Sequence, residues 1–204
     1  MAQIDEINDE RPRENGRTNA FYAIQSDHTG EALIACLNDG TDMDAIDDRG
    51  DTALHWACWH RREQSFRILV ERGAQLNIQN YKGHAPLHHV IARFPPLKTF
   101  QAVAYLIDKG ADPSLPDKQG KTAYHAILSE NLALSFEQVS ALAQLLTQHA
   151  VEGWFVPDGE GRTALDYARS SPDGAVAGML SALQGAILQD ATSVASARSL
   201  PRRI

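Results

Sequence analysis

Residues 47–55 read Asp47-Asp48-Arg49-Gly50-Asp51-Thr52-Ala53-Leu54-His55, and residues 80–88 repeat the pattern as Asn80-Tyr81-Lys82-Gly83-His84-Ala85-Pro86-Leu87-His88. Two further copies follow, Asp117-Lys118-Gln119-Gly120-Lys121-Thr122-Ala123-Tyr124-His125 and Asp158-Gly159-Glu160-Gly161-Arg162-Thr163-Ala164-Leu165-Asp166. Their glycines, Gly50, Gly83, Gly120 and Gly161, are separated by 33, 37 and 41 residues. A second element recurs in step: Gly73-Ala74-Gln75-Leu76-Asn77 and Gly110-Ala111-Asp112, with Gly40-Thr41-Asp42-Met43-Asp44 ahead of the first motif. Recurrence at this period marks a chain of supersecondary units, each unable to bury its apolar face without a neighbour.

Each unit has a physical reading. Asp-x-x-Gly makes a tight turn in which glycine accepts positive φ. The threonine that follows can cap a short first helix, about Thr52 to Trp59 in the clearest copy. A second helix is predicted from apolar residues at helical spacing: Phe66, Leu69 and Val70, then Phe100, Val103 and Ile107, then Val139, Leu142 and Leu146. Gly40, Gly73 and Gly110 are expected to end those helices in the left-handed region. His149 falls at that position in the fourth unit and is expected to adopt the same conformation.

The pattern resembles the ankyrin repeat, whose period is about 33 and whose signature is Thr-Pro-Leu-His-x-Ala. Ala85-Pro86-Leu87-His88 and Thr52-Ala53-Leu54-His55-Trp56-Ala57 carry the resemblance, with a weaker copy in Gly16-Arg17-Thr18-Asn19-Ala20-Phe21-Tyr22-Ala23. It covers residues 13–184 as about five units, 13–46, 47–79, 80–116, 117–157 and 158–184. It implies an all-α solenoid of helix-turn-helix units with β-turn or hairpin fingers. It also implies that His55, His88 and His125 join neighbouring units by hydrogen bonds, and that a partner docks on the concave side. Phe21 and Asp166 replace the histidine in the first and last units, as expected of terminal caps. Residues 1–12 are expected to be a disordered acidic tail, and 185–204 a C-terminal helix or flexible tail. Unit three is longer by four residues, at Phe94-Pro95-Pro96-Leu97; unit four is longer by six between Gly120 and His149, and its finger, Val151-Glu152-Gly153-Trp154-Phe155-Val156-Pro157, has two extra residues. The two prolines should stop the first helix, and the added length is expected in loops.

Composition narrows the function classes. The 204 residues are 43% hydrophobic and 22% charged, an ordinary globular balance. No apolar run approaches the roughly 20 residues of a membrane helix, so a soluble protein is expected. The start, Met1 to Glu10, is acidic and unlike a secretory signal. Two cysteines, Cys36 and Cys58, exclude a disulfide framework and fit a reducing cytoplasm. A secreted effector without an N-terminal signal peptide is the alternative location. A net charge of −7 weighs against an extended nucleic-acid surface.

No catalytic or cofactor site is expected. His84 and His88 are four apart, but His84 lies in a turn, so the pair does not share a helix face. No cysteine pair has zinc spacing. Cys36 and Cys58 lie among apolar neighbours and read as inert core thiols. Gly-x-Ser-x-Gly, the P-loop and Gly-x-Gly-x-x-Gly are all missing from the sequence. The protein is therefore not read as an enzyme, and no metal is expected.

The informative positions are the variable ones on turn tips and first helices. Over 28 such positions there are seven basic residues (Arg17, Arg49, Lys82, Arg93, Lys118, Lys121, Arg162) and four acidic ones (Asp48, Asp51, Glu130, Glu160). This face is thus basic within an acidic chain. It also carries Tyr22, Trp56, Trp59, Tyr81 and Tyr167, and tryptophan, tyrosine and arginine are enriched at binding hot spots. The expected contact residues are Arg49, Trp56, Trp59, His60, Tyr81, Lys82, His84, His89, Arg93, Lys118 and Lys121. Trp59-His60-Arg61-Arg62 stands out, because the polar end of a short helix seldom needs a tryptophan for packing. The reading is a non-catalytic scaffold, monomeric or in a hetero-complex, that binds a protein with an acidic segment. The alternatives are an inhibitor or immunity-type regulator of an enzyme or toxin, and nucleic-acid binding by the basic face.

Overall fold

The computed structural model describes residues 18–128 and 135–170. The expected tails at 1–12 and 185–204 lie outside these residues, as do the face residues Arg17 and Glu130. Among the described residues the regular elements are helical: α1 (Asn19–Ser26), α2 (Glu31–Asn38), α3 (Ala53–Trp59), α4 (Glu63–Glu71), α5 (Pro86–Arg93), α6 (Pro96–Asp108), α7 (Ala123–Ala126), α8 (Phe136–His149) and α9 (Ala164–Ser170). A 3-10 helix, Val151–Phe155, lies between α8 and α9. The fold is an all-α solenoid in which α1 packs on α3, α3 on α5, α5 on α7, and α7 on α9. The fingers are turns, with one isolated antiparallel bridge, Pro157 to Thr163, among the described residues.

The same three devices build every finger. The first residue's side-chain oxygen accepts two backbone N–H bonds: Asp47 Oδ1 from Arg49 and Asp51 (2.9 and 3.0 Å), Asn80 Oδ1 from Lys82 and His84 (2.9 and 3.0 Å), Asp117 Oδ1 from Gln119 and Lys121 (2.8 and 2.9 Å), and Asp158 Oδ1 from Glu160 and Arg162 (2.9 and 2.9 Å). The third residue's carbonyl then accepts the N–H of the next finger's second residue: Arg49 from Tyr81 at 2.9 Å, Lys82 from Lys118 at 3.0 Å, and Gln119 from Gly159 at 2.7 Å. The approach is close. A Cβ added at Gly83, where φ is +78°, would lie 2.7 Å from the Lys118 nitrogen, so this glycine is needed for space as well as for its dihedral.

Histidine supplies the third device. Nδ1 of His55, His88 and His125 accepts the backbone N–H three residues back, at 3.1, 3.1 and 3.2 Å. Nε2 then reaches the carbonyl of the next finger: His84 at 2.9 Å, Lys121 at 3.4 Å and Arg162 at 3.2 Å. Both bonds are satisfied only by the neutral ring with its proton on Nε2. Asp166, in the last unit, reproduces the inner half: its Oδ2 accepts from the Thr163 N–H at 2.9 Å.

The core runs along the inside of the helix pairs, through Leu33, Leu54, Leu69, Leu87, Ile91, Leu106, Ile127 and Leu142. Gly40, Gly73 and Gly110 end α2, α4 and α6 at φ +89°, +86° and +99°. Four expectations need correction. His149 is the last residue of α8 and is not left-handed; Ala150 follows in an extended conformation (φ −158°), and the chain enters the 3-10 helix. Phe100 is 38% exposed, so the buried stripe of α6 runs through Ala102, Val103 and Leu106. The extra residues of unit three are not a loop. They lengthen the second helix, 13 residues in α6 against nine in α4, with Pro96 in its first turn. Threonine caps are uneven: Thr52 Oγ1 accepts from the His55 N–H at 3.4 Å and Thr163 Oγ1 from the Asp166 N–H at 3.3 Å, Thr52 and Thr122 Oγ1 both lie against the Nδ1 of their histidine at 2.9 and 3.0 Å, and unit three has Ala85 there.

Candidate functional site

Between the fingers and first helices of units two and three lies a groove of about 650 Å³. Asp48, Arg49, Asp51, His55, Trp56, Trp59, His60, Asn80, Tyr81, Lys82, His84 and His89 line it. Eight of the eleven expected contact residues are therefore brought together: Arg49, Trp56, Trp59, His60, Tyr81, Lys82, His84 and His89. Arg93 stands at the groove's helical end, in an adjoining pocket of about 370 Å³ with Trp59, His60, Arg61 and Ala92. Lys118 and Lys121 lie farther along the stack. The Lys121 ammonium sits 5.4 Å from the centre of the Tyr167 ring, and the Lys118 side chain is exposed.

The aromatic residues divide into braces and open surfaces. Trp56 is half-buried; its indole N–H donates to Asp47 Oδ2 at 3.1 Å, and its ring meets Phe21 edge-on at 5.6 Å. Tyr167, at the equivalent place, donates its hydroxyl to Asp158 Oδ2 at 2.7 Å. His89 is the third member, 3.5 Å from the Asn80 amide nitrogen, which also donates to Asp51 Oδ1 at 2.6 Å. Expected on the face, His89 is only 6% exposed and forms the groove's floor. This bracing was missed by sequence reasoning. Its signal was partly there: four residues past the helix cap, the fingers that open with Asp47 and Asp158 have a donor ring, Trp56 or Tyr167, and the finger that opens with Asn80 has a histidine, whereas the Asp117 finger has Ala126 at that position.

Trp59 and Tyr81 differ from these. They are 46% and 58% exposed on opposite units and face one groove. The Arg93 guanidinium lies over the Trp59 ring at 3.6 Å, and His89 meets the same ring edge-on at 5.4 Å. The Tyr81 ring rests on Gly50 of the preceding finger, where an added Cβ would come within 2.8 Å of it.

Electrostatically the floor is neutral and the rim charged. Burial lowers the pKa of His55, His84, His88 and His89, and for His89 neighbouring His55, His84 and His88 push further, to about 3. Asp51 and Asp117 approach His89 and His84 at 4.0 and 3.7 Å. Among the groove's lining residues, Arg49 and Lys82 are balanced by Asp48 and Asp51. The net basic character is found at the helical end, with Arg61 and Arg93. Among the described residues no group of three or more His, Cys, Asp or Glu is arranged to hold a metal ion. Cys58 is fully buried, which pushes its thiol up, and burial with nearby Asp39 does the same for Cys36.

Capped fingers, histidine ties and a groove on the first-helix side define a helical-repeat scaffold. The fold is that of an ankyrin-repeat protein. The family described as ankyrin repeats (3 copies) matches residues 2–80. The E3 ubiquitin-protein ligase KEG of Arabidopsis thaliana is 28% identical over 158 residues, 74% of this chain and 9% of that protein. BCL-6 corepressor-like protein 1 of Homo sapiens is 30% identical over 103 residues, 50% of this chain and 6% of that protein. The chain thus spans less than a tenth of the length of either relative. Among solved structures, the ankyrin repeat domain of Bcl-3 shares the fold with a TM-score of 0.63 at 24% identity, covering 82% of this chain and 68% of that one. Repeats of this kind generally mediate protein–protein interaction and typically act as non-catalytic scaffolds.

Proposed function

We propose that this chain binds a partner protein in the groove between units two and three, with Trp59 and Tyr81 as anchors. One observation carries the reading: two large aromatic side chains, each about half exposed, face a single groove across a repeat boundary. Monomeric proteins gain little by leaving such rings in water, and tryptophan and tyrosine dominate interface energetics. Trp56 supports the groove's wall and His89 its floor. The rigid fingers keep the ordering cost of docking low. Arg49, Lys82, Arg93, Lys118 and Lys121 orient a partner that carries an acidic segment. The unpaired thiols Cys36 and Cys58 support a reducing compartment such as the cytoplasm.

The test is affinity capture from native lysate with wild type and with the doubly changed Trp59→Ala/Tyr81→Ala protein. Both side chains are exposed, so folding should survive, and circular dichroism checks it. A protein held by the wild type and released by the double variant supports the groove. Identical captured proteins would move the binding face elsewhere.

A further inference from the structure

Of the seven basic residues from Ala53 to Asp108, three are engaged by hydrogen bonds or a carboxylate. The Arg62 guanidinium bonds to His28 and, at 3.2 Å, to the Gln25 carbonyl. Arg72 donates to Asn38 at 3.0 Å, and Lys98 pairs with Glu63. Arg61 and Arg93 are different. Among the described residues neither guanidinium has a hydrogen bond or a carboxylate partner, and Arg93 is held only by its stacking on Trp59. Both line the 370 Å³ pocket at the groove's helical end, and no carboxylate lines it with them.

Arg61 also stands in an unfavourable backbone conformation. It is the only non-glycine with positive φ among the described residues, at +57°. In the turn between α1 and α2 the left-handed residue is Gly30, the N-cap of α2, at φ +84°, whereas Arg61 stands one residue before Arg62, the N-cap of α4. An arginine here costs backbone energy that glycine would not, and local strain of this sort clusters at binding sites.

We infer that Arg61 and Arg93, flanking Trp59, form a receptor for one side-chain carboxylate of an extended partner segment, whose neighbouring apolar side chain enters the Trp59–Tyr81 groove. Guanidinium groups match carboxylate geometry and keep their charge at any physiological pH. Stacking on Trp59 fixes the Arg93 plane and leaves its N–H edge open to an incoming oxygen. Two arginines beside a groove whose own charges cancel suit one acidic residue next to an apolar one rather than a phosphate backbone. The inference rests on the groove reading above and adds the register and chemistry of the ligand.

The test uses a random heptapeptide display library panned on the full chain, followed by anisotropy with the enriched peptides. The expected motif has Asp or Glu beside a large apolar residue. Changing that acid to its amide should weaken binding to wild type at least tenfold. The same change should cost less than twofold against Arg61→Gly and Arg93→Gln. Arg61→Gly should melt at or above the wild-type temperature, which separates lost recognition from lost folding. Peptides that need Trp59 and Tyr81 but are indifferent to Arg61, Arg93 and the amide change would overturn the receptor and keep the groove. Failure to enrich any peptide sensitive to Tyr81→Ala would overturn both. A 12-nucleotide single strand bound more tightly than every acidic peptide, and released by the two arginine changes, would reassign the pocket to phosphate.

Discussion

His55 Nε2 lies 2.9 Å from the carbonyl oxygen of His84, so one side chain links the cap of its own helix to the finger of the next unit. Removing it leaves the Thr52 N–H and the His84 carbonyl without these partners. Each unpaired buried group costs about 1–3 kcal/mol, and His55→Ala should therefore lower unfolding free energy by about 3 kcal/mol in urea titration. Arg49→Ala, exposed on the neighbouring tip, should change it by less than about 0.5 kcal/mol. Equal effects from the two would mean that the histidine is not a structural tie.

Stability should fall with acid over a definite range. His89 keeps a pKa near 3 when folded, against an ordinary value of 6.5. Above 6.5 neither state binds the proton and pH has no effect through this group. Below it the unfolded chain is protonated first, so stability declines down to the folded value. Asp51 on one side and Arg93 on the other face this ring, together with His55, His84 and His88. Between pH 7.5 and 5.0 His89 alone should remove about 2 kcal/mol at 1.36 kcal/mol per unit. His89→Gln should flatten that slope; an unchanged slope in guanidinium titrations would place the acid sensitivity elsewhere.

The fourth unit is locked by aromatic packing. The Tyr124 and Trp154 rings meet edge-on at 5.1 Å, the tyrosine hydroxyl donates to the Ala150 carbonyl at 2.7 Å, and the indole donates to Thr147 Oγ1 at 3.0 Å. Trp154→Ala should cost about 3–5 kcal/mol. Gly153→Ala should cost about 1–3 kcal/mol by overpacking, because its Cβ would fall 2.1 Å from the Tyr124 ring. Phe155→Ala, one residue on and exposed, should stay within about 0.5 kcal/mol in the same melts.

Cys58 should report unfolding rather than surface chemistry. It is buried with a raised pKa, so little thiolate forms and none is accessible. Its reaction with a disulfide reagent at pH 8 should follow the rate of opening and accelerate in every destabilised variant above. A fast, stability-independent reaction would contradict its core placement.

The repeat, the histidine ties and the helix-ending glycines were legible because each depends on local chemistry at fixed spacing. Three features were not. The fate of the extra residues at Phe94 to Leu97 depended on whether Pro96 would break a helix or begin one, and proline is compatible with both when it falls in a first turn. His149 was read by its position in the register, yet α8 simply ends in an extended Ala150. In the groove, residue type alone did not separate Trp56 from Trp59. One donates to Asp47 and the other does not, and that difference follows from which side of α3 each occupies.

The finger ladder has a mechanical consequence. Among the described residues each joint between fingers carries one backbone hydrogen bond, from Tyr81, Lys118 or Gly159, seconded by one histidine, and the first two joints add a side-chain contact, Asn80 to Asp51 and His84 with Asp117. Tension applied to the chain ends would load these joints in series, so none shares its burden with another. Extension in optical tweezers should proceed as separate small rips, one unit at a time, with lengthening rather than a single rupture relieving the force.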